Sequence, residues 1–127
     1  MADEAQHKRK LGLKGEKLAR RYLKKQGYRY LAHNYATRRG EIDLIMQDEQ
    51  TIVFVEVKTR EDESFARGED SVNYGKQKRI FGAARHFIQV HDLYEKPCRF
   101  DLVVVTGIND QAVIRHHKNA FSSIYQH

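Results

Sequence analysis

The apolar positions of the first third recur at helical spacing. Leu11, Gly15, Leu18, Ala19, Tyr22 and Leu23 form one stripe and Gly27 follows as a stop signal, which predicts a helix over 10–26. Lys14, Lys17, Arg20, Arg21, Lys24 and Lys25 cover the rest of its surface, and Glu16 is its single acid, at the edge of the stripe. The pattern then changes to alternation. A short strand is expected over 28–34, followed by a basic turn through Arg38, Arg39 and Gly40. Strands over 41–47 and 51–59 flank the polar residues 48–50, which read as a hairpin loop. Residues 60–75 are charged and aperiodic, a length at which a loop inside a compact domain carries function or motion. Ile80, Ala84, Phe87 and Ile88 give a second helix over 76–90 its inner face. A strand over 99–106 and a weaker one over 112–116 follow, and residues 118–127 fit neither pattern cleanly.

The order is therefore αβββαβ with one further weak strand. A strand, a crossover helix and a strand predict that 99–106 lies parallel to 51–59, with a right-handed connection. The expected fold class is α/β: a small mixed sheet flanked by helices. The 127 residues suit one domain spanning 1–127, with tails at about 1–9 and 118–127. A chain of this size buries roughly two-thirds of its unfolded surface and folds without cross-links. That agrees with a single cysteine, Cys98, which has no partner for an internal disulfide.

Charge sharpens the picture. The formal net charge is +6, but residues 1–39 carry 12 Lys/Arg against 3 Asp/Glu, while 40–127 carry 11 against 14. A basic field concentrated in one third of the chain attracts polyanions, of which nucleic acid is the commonest in a cytoplasm; the alternative is a solvated face that confers solubility. The first ten residues lack the apolar segment of a signal peptide, and no run approaches the roughly 18 apolar residues of a membrane span. A cytoplasmic protein with no membrane partner is expected.

The candidate chemistry lies in the hairpin. Strand residues two apart share a face. With Ile42, Leu44 and Met46 as the apolar set, Glu41 and Asp43 share the other face; in FVEVKTR, Glu56 and Lys58 lie opposite the Val53, Val55, Val57 side. A loop centred between Glu49 and Gln50 places Asp43 opposite Glu56 and Glu41 opposite Lys58, and a one-residue slip would mix charge into the apolar side. Two carboxylates facing each other on a sheet repel. A divalent metal, a shared proton or a nearby cation would each offset that. Hard oxygen donors suit Mg²⁺ or Mn²⁺, and an adjacent lysine suits a phosphate, so these are the parts of metal-assisted phosphodiester hydrolysis. An ordinary ion-pair cluster on a solvated sheet face is the competing explanation.

Asp43 and the Glu56-Val57-Lys58 block, after a helix bearing Gly12, Gly15 and Glu16, resemble the PD-(D/E)xK nuclease superfamily. The wider set is similar to the YraN-like uncharacterised bacterial family. It comprises Gly15-Glu16, Ala19, Tyr22-Leu23, Gly27-Tyr28, Asn34, GEIDLI over 40–45, VFVEVKTR over 53–60, Lys76, Arg79-Ile80 and Arg99-Phe100-Asp101. The similarity runs from about Gly12 to Val105. It implies a restriction-endonuclease-like fold, similar to archaeal Holliday-junction resolvases, and a DNA endonuclease activity, with branched DNA suggested by the resolvase resemblance alone. It implies Asp43, Glu56, the Val57 carbonyl and Glu16 as metal ligands for Mg²⁺ or Mn²⁺, and Lys58 as the catalytic lysine. Glu16 could instead pair with Arg20 one turn on. Lys14, Lys17, Arg38, Arg39, Lys76 and Gln77 are the expected nucleic-acid contacts, and Asp101 is expected to be a structural partner of Arg99 or Arg79. Cutting both strands favours a homodimer, for which the sequence names no interface. A non-catalytic nucleic-acid-binding protein that keeps the fold, or a structural interaction protein, stays open. No proline precedes Asp43, and FARGEDSV over 65–72 fits the family loosely, with Ala66 at a usual glycine position.

Other chemistry is weak. His86 and His91 do not share a helical face, His116 and His117 point to opposite sides of a strand, and one cysteine does not help a zinc site. No nucleophile elbow, P-loop or dinucleotide fingerprint is present. Tyr22, Tyr28, Tyr30 and Tyr35 could stack on bases, but suit core or rim packing better.

Overall fold

The computed structural model describes residues 2–61, 70–108 and 111–122. Half of the charged loop expected over 60–75, residues 62–69 with 65–69 of FARGEDSV among them, and the last five residues lie outside them. The elements are α1 (Ala2–Lys25), β1 (Arg29–Thr37), β2 (Gly40–Asp48), β3 (Thr51–Thr59), α2 (Tyr74–Val90), β4 (Cys98–Thr106) and β5 (Val113–Phe121). The strands form one sheet in the order β1-β2-β3-β4-β5. β3 and β4 are parallel, with α2 between them in sequence, and the other neighbours are antiparallel. This is the expected mixed α/β class.

Two helices cover the two faces of the sheet. Ala19 and Leu23 of α1 join Leu44, Met46, Val53, Val55, Val103 and Val105 in one core. Ile80, Ala83, Ala84 and Phe87 of α2 join Ile42, Ile45, Ile52, Phe54, Leu102 and Val104 in the other. Phe54 and Phe100 stack at 5.4 Å between ring centres, and Phe87 meets Phe54 edge-on at 6.2 Å. The valines 53, 55 and 57 share the α1 face, as their alternation predicts. Covering both faces explains why β3 and β4 read as nearly continuous apolar runs.

Four boundaries differ from expectation, one of them the end of β1, which runs on to Thr37 instead of stopping at 34. α1 reaches back to Ala2, because its first turns need no buried stripe: Asp3 and Glu4 sit where the helix dipole favours negative charge. Its end is as expected. Gly27 is left-handed (φ 95°), and the Tyr28 and Gly27 N–H groups donate to Leu23 and Lys24 carbonyls in a Schellman motif. β5 continues through Asn119 to Phe121, so part of the supposed tail is strand. Its Phe121 is buried against Phe100 at 5.4 Å. α2 begins two residues early, capped by the Asn73 side chain, which accepts from Lys76 N–H at 2.8 Å.

Candidate metal and phosphate site

The β2–β3 register pairs Leu44 with Val55, Ile45 with Phe54 and Met46 with Val53, the register expected of the hairpin. The reason differs from the one the apolar pattern suggests. Ile42 and Leu44 are two apart yet belong to opposite cores, so β2 breaks its alternation at Asp43. The β1 ladder skips the same point: His33 pairs with Leu44 and Tyr35 with Ile42, while Asn34 between them is left-handed at φ 50°. Asp43 has thus left the regular ladder. Its carboxylate reaches across and accepts the Val57 N–H at 2.8 Å. A strand residue directs its N–H and C=O to the same neighbour, so the Val57 carbonyl also faces the interrupted β2 side.

Glu56 lies on the α2 face and is 3 % exposed. Burial and the neighbouring Asp43 carboxyl push its pKa up to about 8, against the opposing pull of Lys76. The Lys76 ammonium, from the first turn of α2, sits 2.9 Å from Glu56. This neighbouring cation offsets the carboxyl repulsion.

Glu16 approaches from the other side. Gly15 has no room for a Cβ, which would overlap the Thr59 side chain, so α1 lies directly on the end of β3. That contact delivers Glu16 to the acidic pair. Burial, then Asp43, then Glu41 raise its pKa to about 7. The expected alternative of a Glu16–Arg20 pair does not form among the described residues. Arg20 lies over the Tyr30 ring at 5.2 Å instead. Thr59, on the opposite face to Lys58, has this packing contact and no link to the carboxyls.

Lys58 shares the face of Glu56 but does not hold it. Its ammonium donates to the Ser71 carbonyl, and burial followed by the Arg60 charge lowers its pKa. Ser71 is flanked by Asp70, which Arg115 and His117 bind at 2.7 and 2.8 Å. These contacts tie the end of the long loop to β5. Gln77 is committed to the same segment, donating to the Val72 carbonyl at 2.7 Å. Glu41 is exposed and acts on Glu16 and Lys76 rather than contacting Lys58. Lys14, Lys17, Arg38 and Arg39 are exposed.

The donor chemistry fits a hard divalent cation. Asp43, Glu56 and Glu16 are oxygen donors; burial and crowding raise the pKa of Glu56 to about 8 and that of Glu16 to about 7, and a cation would draw those two protons off. Among the described residues, however, no three His, Cys, Asp or Glu side chains already stand at ligating positions together. Seating an ion requires that Lys76 leave Glu56 and that Glu16 swing inward.

A second buried polar cluster is structural. Asp101, with no exposed surface, accepts from Arg99 at 3.0 Å, from His116 at 2.8 Å and from the Asn119 N–H at 2.9 Å. Arg99 continues to Asp48 at 3.1 Å and Tyr28 at 2.5 Å. Asp101 is thus Arg99's partner, as expected, and not Arg79's. His116 and His117 serve different aspartates, in keeping with their opposite directions. The role of Lys76 at Glu56 and the Asp70 anchor were missed by sequence reasoning. The parity of Glu56 with Phe54, which puts it under α2, was the signal for the first; the second joins residues 45 apart with no shared motif.

Comparison with known sequences agrees with the span of the motifs. The sequence model described as "Uncharacterised protein family UPF0102" matches residues 15–105. A UPF0102 protein of Alkaliphilus oremlandii is 44 % identical over 115 residues, covering 89 % of this chain and 98 % of that protein. One of Coxiella burnetii is 41 % identical over 117 residues (91 % and 95 %), and one of Alcanivorax borkumensis 39 % over 118 (91 % and 94 %). The matched span runs from the glycine that seats Glu16 to the end of β4, and on that match the chain belongs to the UPF0102 family.

Proposed function

We propose that this protein is a metal-dependent DNA endonuclease that hydrolyses phosphodiester bonds at the Asp43–Glu56 pair. The observation that carries the reading is the interruption of β2 at Asp43. It costs ladder pairing and brings two carboxyls together beside a third, which a merely structural strand has no need to do. Asp43 and Glu56 would hold Mg²⁺ or Mn²⁺, completed by the Val57 carbonyl and Glu16. When bound, such an ion supplies charge neutralisation and Lewis-acid activation of the phosphodiester.

The chain's own groups do the rest. The Val57 N–H fixes the Asp43 carboxylate in one orientation. Lys76 contacts Glu56 in the resting site, and on release its ammonium would be free for a substrate phosphate. Lys58 has only the Ser71 carbonyl to give up before it can do the same. Glu16, whose pKa burial and the neighbouring Asp43 raise to about 7, would lose its proton on joining the bound ion. Lys14 and Lys17 on α1, and Arg38 and Arg39 at the β1–β2 turn, grip the backbone, with Gln77 supporting the loop next to Lys76. Branched DNA as the preferred substrate, and a homodimer to cut both strands, rest on the resolvase-like resemblance alone.

A second reading is a non-catalytic nucleic-acid-binding protein. It is favoured by one observation: both lysines are already engaged, and among the described residues no three ligands are assembled. The deciding experiment incubates the protein with labelled duplex, single-stranded and four-way-junction DNA in Mg²⁺, Mn²⁺ or EDTA, beside Asp43→Ala. Cleavage that needs both metal and Asp43 is expected. Salt-sensitive binding with no cleavage in any metal would replace the enzyme with the binding protein.

A further inference from the structure

Away from the carboxyls, the β1–β2 turn and the outer face of α2 enclose a groove of about 450 Å³. Arg38 and Arg39 line it from the turn, and Arg85, His86 and Gln89 from the helix. No acid lies in its lining, and α2 carries no acid anywhere along Tyr74–Val90. Arg38, Arg39 and Arg85 are exposed and make no ion pair with a described residue. Three guanidinium groups converge here without a carboxylate to neutralise them.

The groove is built rather than incidental. A Cβ on Gly82 would stand 2.6 Å from the Arg39 Cβ, and one on Gly40 would overlap the Arg79 carbonyl. These two glycines let the turn sit directly on α2. Thr37 holds the turn closed: its hydroxyl accepts the Arg39 N–H at 3.1 Å and donates to the Gly40 carbonyl at 3.2 Å. His86 is held by the Tyr35 hydroxyl at 2.5 Å from Nδ1. If that hydroxyl donates, a neutral His86 carries its proton on Nε2 and remains a hydrogen-bond donor. Forked guanidinium donors, an imidazole N–H and the Gln89 amide make up a site for phosphate oxygens.

We propose that this groove seats the phosphodiester backbone of a duplex arm that leads away from the Asp43–Glu56 site. The proposal rests on the nucleic-acid reading above and adds Arg85, His86 and Gln89 to it. α2 sets the spacing. At 1.5 Å per residue, the stretch from Gly82 to Gln89 lies roughly 9–20 Å along the helix from Lys76. For a duplex running along α2, with phosphates about 3.4 Å apart along the axis on each strand, the groove would meet the backbone about three to six base pairs from Lys76. It therefore adds binding and direction without competing for the reacting phosphate.

The test is fluorescence anisotropy with a labelled duplex of about two helical turns, in EDTA so that nothing is cut, over a range of salt. Wild type is compared with Arg38→Ala/Arg85→Ala and with Lys14→Ala/Lys17→Ala. Replacing two phosphate contacts should lower the slope of log K against log salt by about 2 and weaken binding tenfold or more at moderate salt. Arg38→Lys/Arg85→Lys should keep the slope and lose only part of the affinity. Unchanged affinity and slope in the double alanine variant, with binding still weakened by the α1 pair, would reject the groove and leave the nucleic-acid reading intact. No duplex binding by wild type would remove both. Loss of inorganic-phosphate binding alone, with duplex binding as in wild type, would make this a free-phosphate site and overturn the proposal.

Discussion

Replacing Glu56 by glutamine should make the protein more stable at alkaline pH, although it removes a buried ion pair. Glu56 ionises near 4.5 when unfolded and near 8 in the folded chain. Between those values the folded state keeps a proton that the unfolded state has released, so stability falls as pH rises through the window. It is fully present below about 4.5, and the loss is complete above about 8. At about 1.4 kcal/mol per pH unit the ceiling is roughly 5 kcal/mol. The variant leaves Lys76 unpaired, so a net gain of roughly 1–3 kcal/mol at pH 9 is expected. For a domain of this size that is about 3–10 °C in melting temperature. The assay is thermal unfolding from pH 5 to 9, with wild type and Glu56→Gln side by side. The wild-type curve should descend toward pH 9 while that of the variant is flatter, and the two should cross. Adding Mn²⁺ or Mg²⁺ at pH 8 should raise the wild-type midpoint more than at pH 5, and that of the variant less. Parallel curves with Glu56→Gln lower throughout would refute the reasoning, because Glu56 would then be an ordinary ionised partner of Lys76.

Gly15→Ala should cost roughly 1–3 kcal/mol by forcing α1 off Thr59, and it should return the Glu16 pKa toward 4.5; urea denaturation and carboxyl NMR titration measure the two effects. Asp101→Ala should be the more damaging change, at roughly 3–5 kcal/mol, since it strands Arg99, His116 and the Asn119 N–H together, and chemical denaturation reads it directly. Lys76→Met should raise the Glu56 pKa further, which NMR titration of the Glu56 carboxyl would report.

Most of the fold was legible because its signals are local. The stripe from Leu11 to Leu23, the alternating valines of β3 and the polar break at 48–50 determine elements by periodicity alone. The start of α1 and the end of β5 were not legible for the same reason. Residues 2–9 carry no apolar repeat, and Lys118–Phe121 gain strand structure only by pairing with β4. At the site, the loop position predicted the register that the structure shows from Leu44–Val55 to Asp48–Thr51, but Asp43 does not pair with Glu56: it leaves the ladder and accepts the Val57 N–H instead. The face argument behind it failed at Ile42, whose shift to the α2 core depends on a backbone distortion that no side-chain pattern encodes. Lys58 was expected at the carboxyls because it shares a face with Glu56. Sharing a face does not fix where a long, flexible chain ends, and the ammonium finds the Ser71 carbonyl while Lys76 arrives from α2. Contacts that cross between elements, such as Asp70 with Arg115, leave no periodic trace.

The central claim is that the Asp43–Glu56 pair is a cation site rather than a proton-sharing ion-pair cluster. Crystals soaked in Mn²⁺ and measured at the manganese absorption edge test it most directly. The account predicts an anomalous peak in contact with both carboxylates and the Val57 carbonyl, with Lys76 turned away from Glu56. A Lys76–Glu56 contact still in place, with no peak between Asp43 and Glu56 at saturating Mn²⁺, would contradict it.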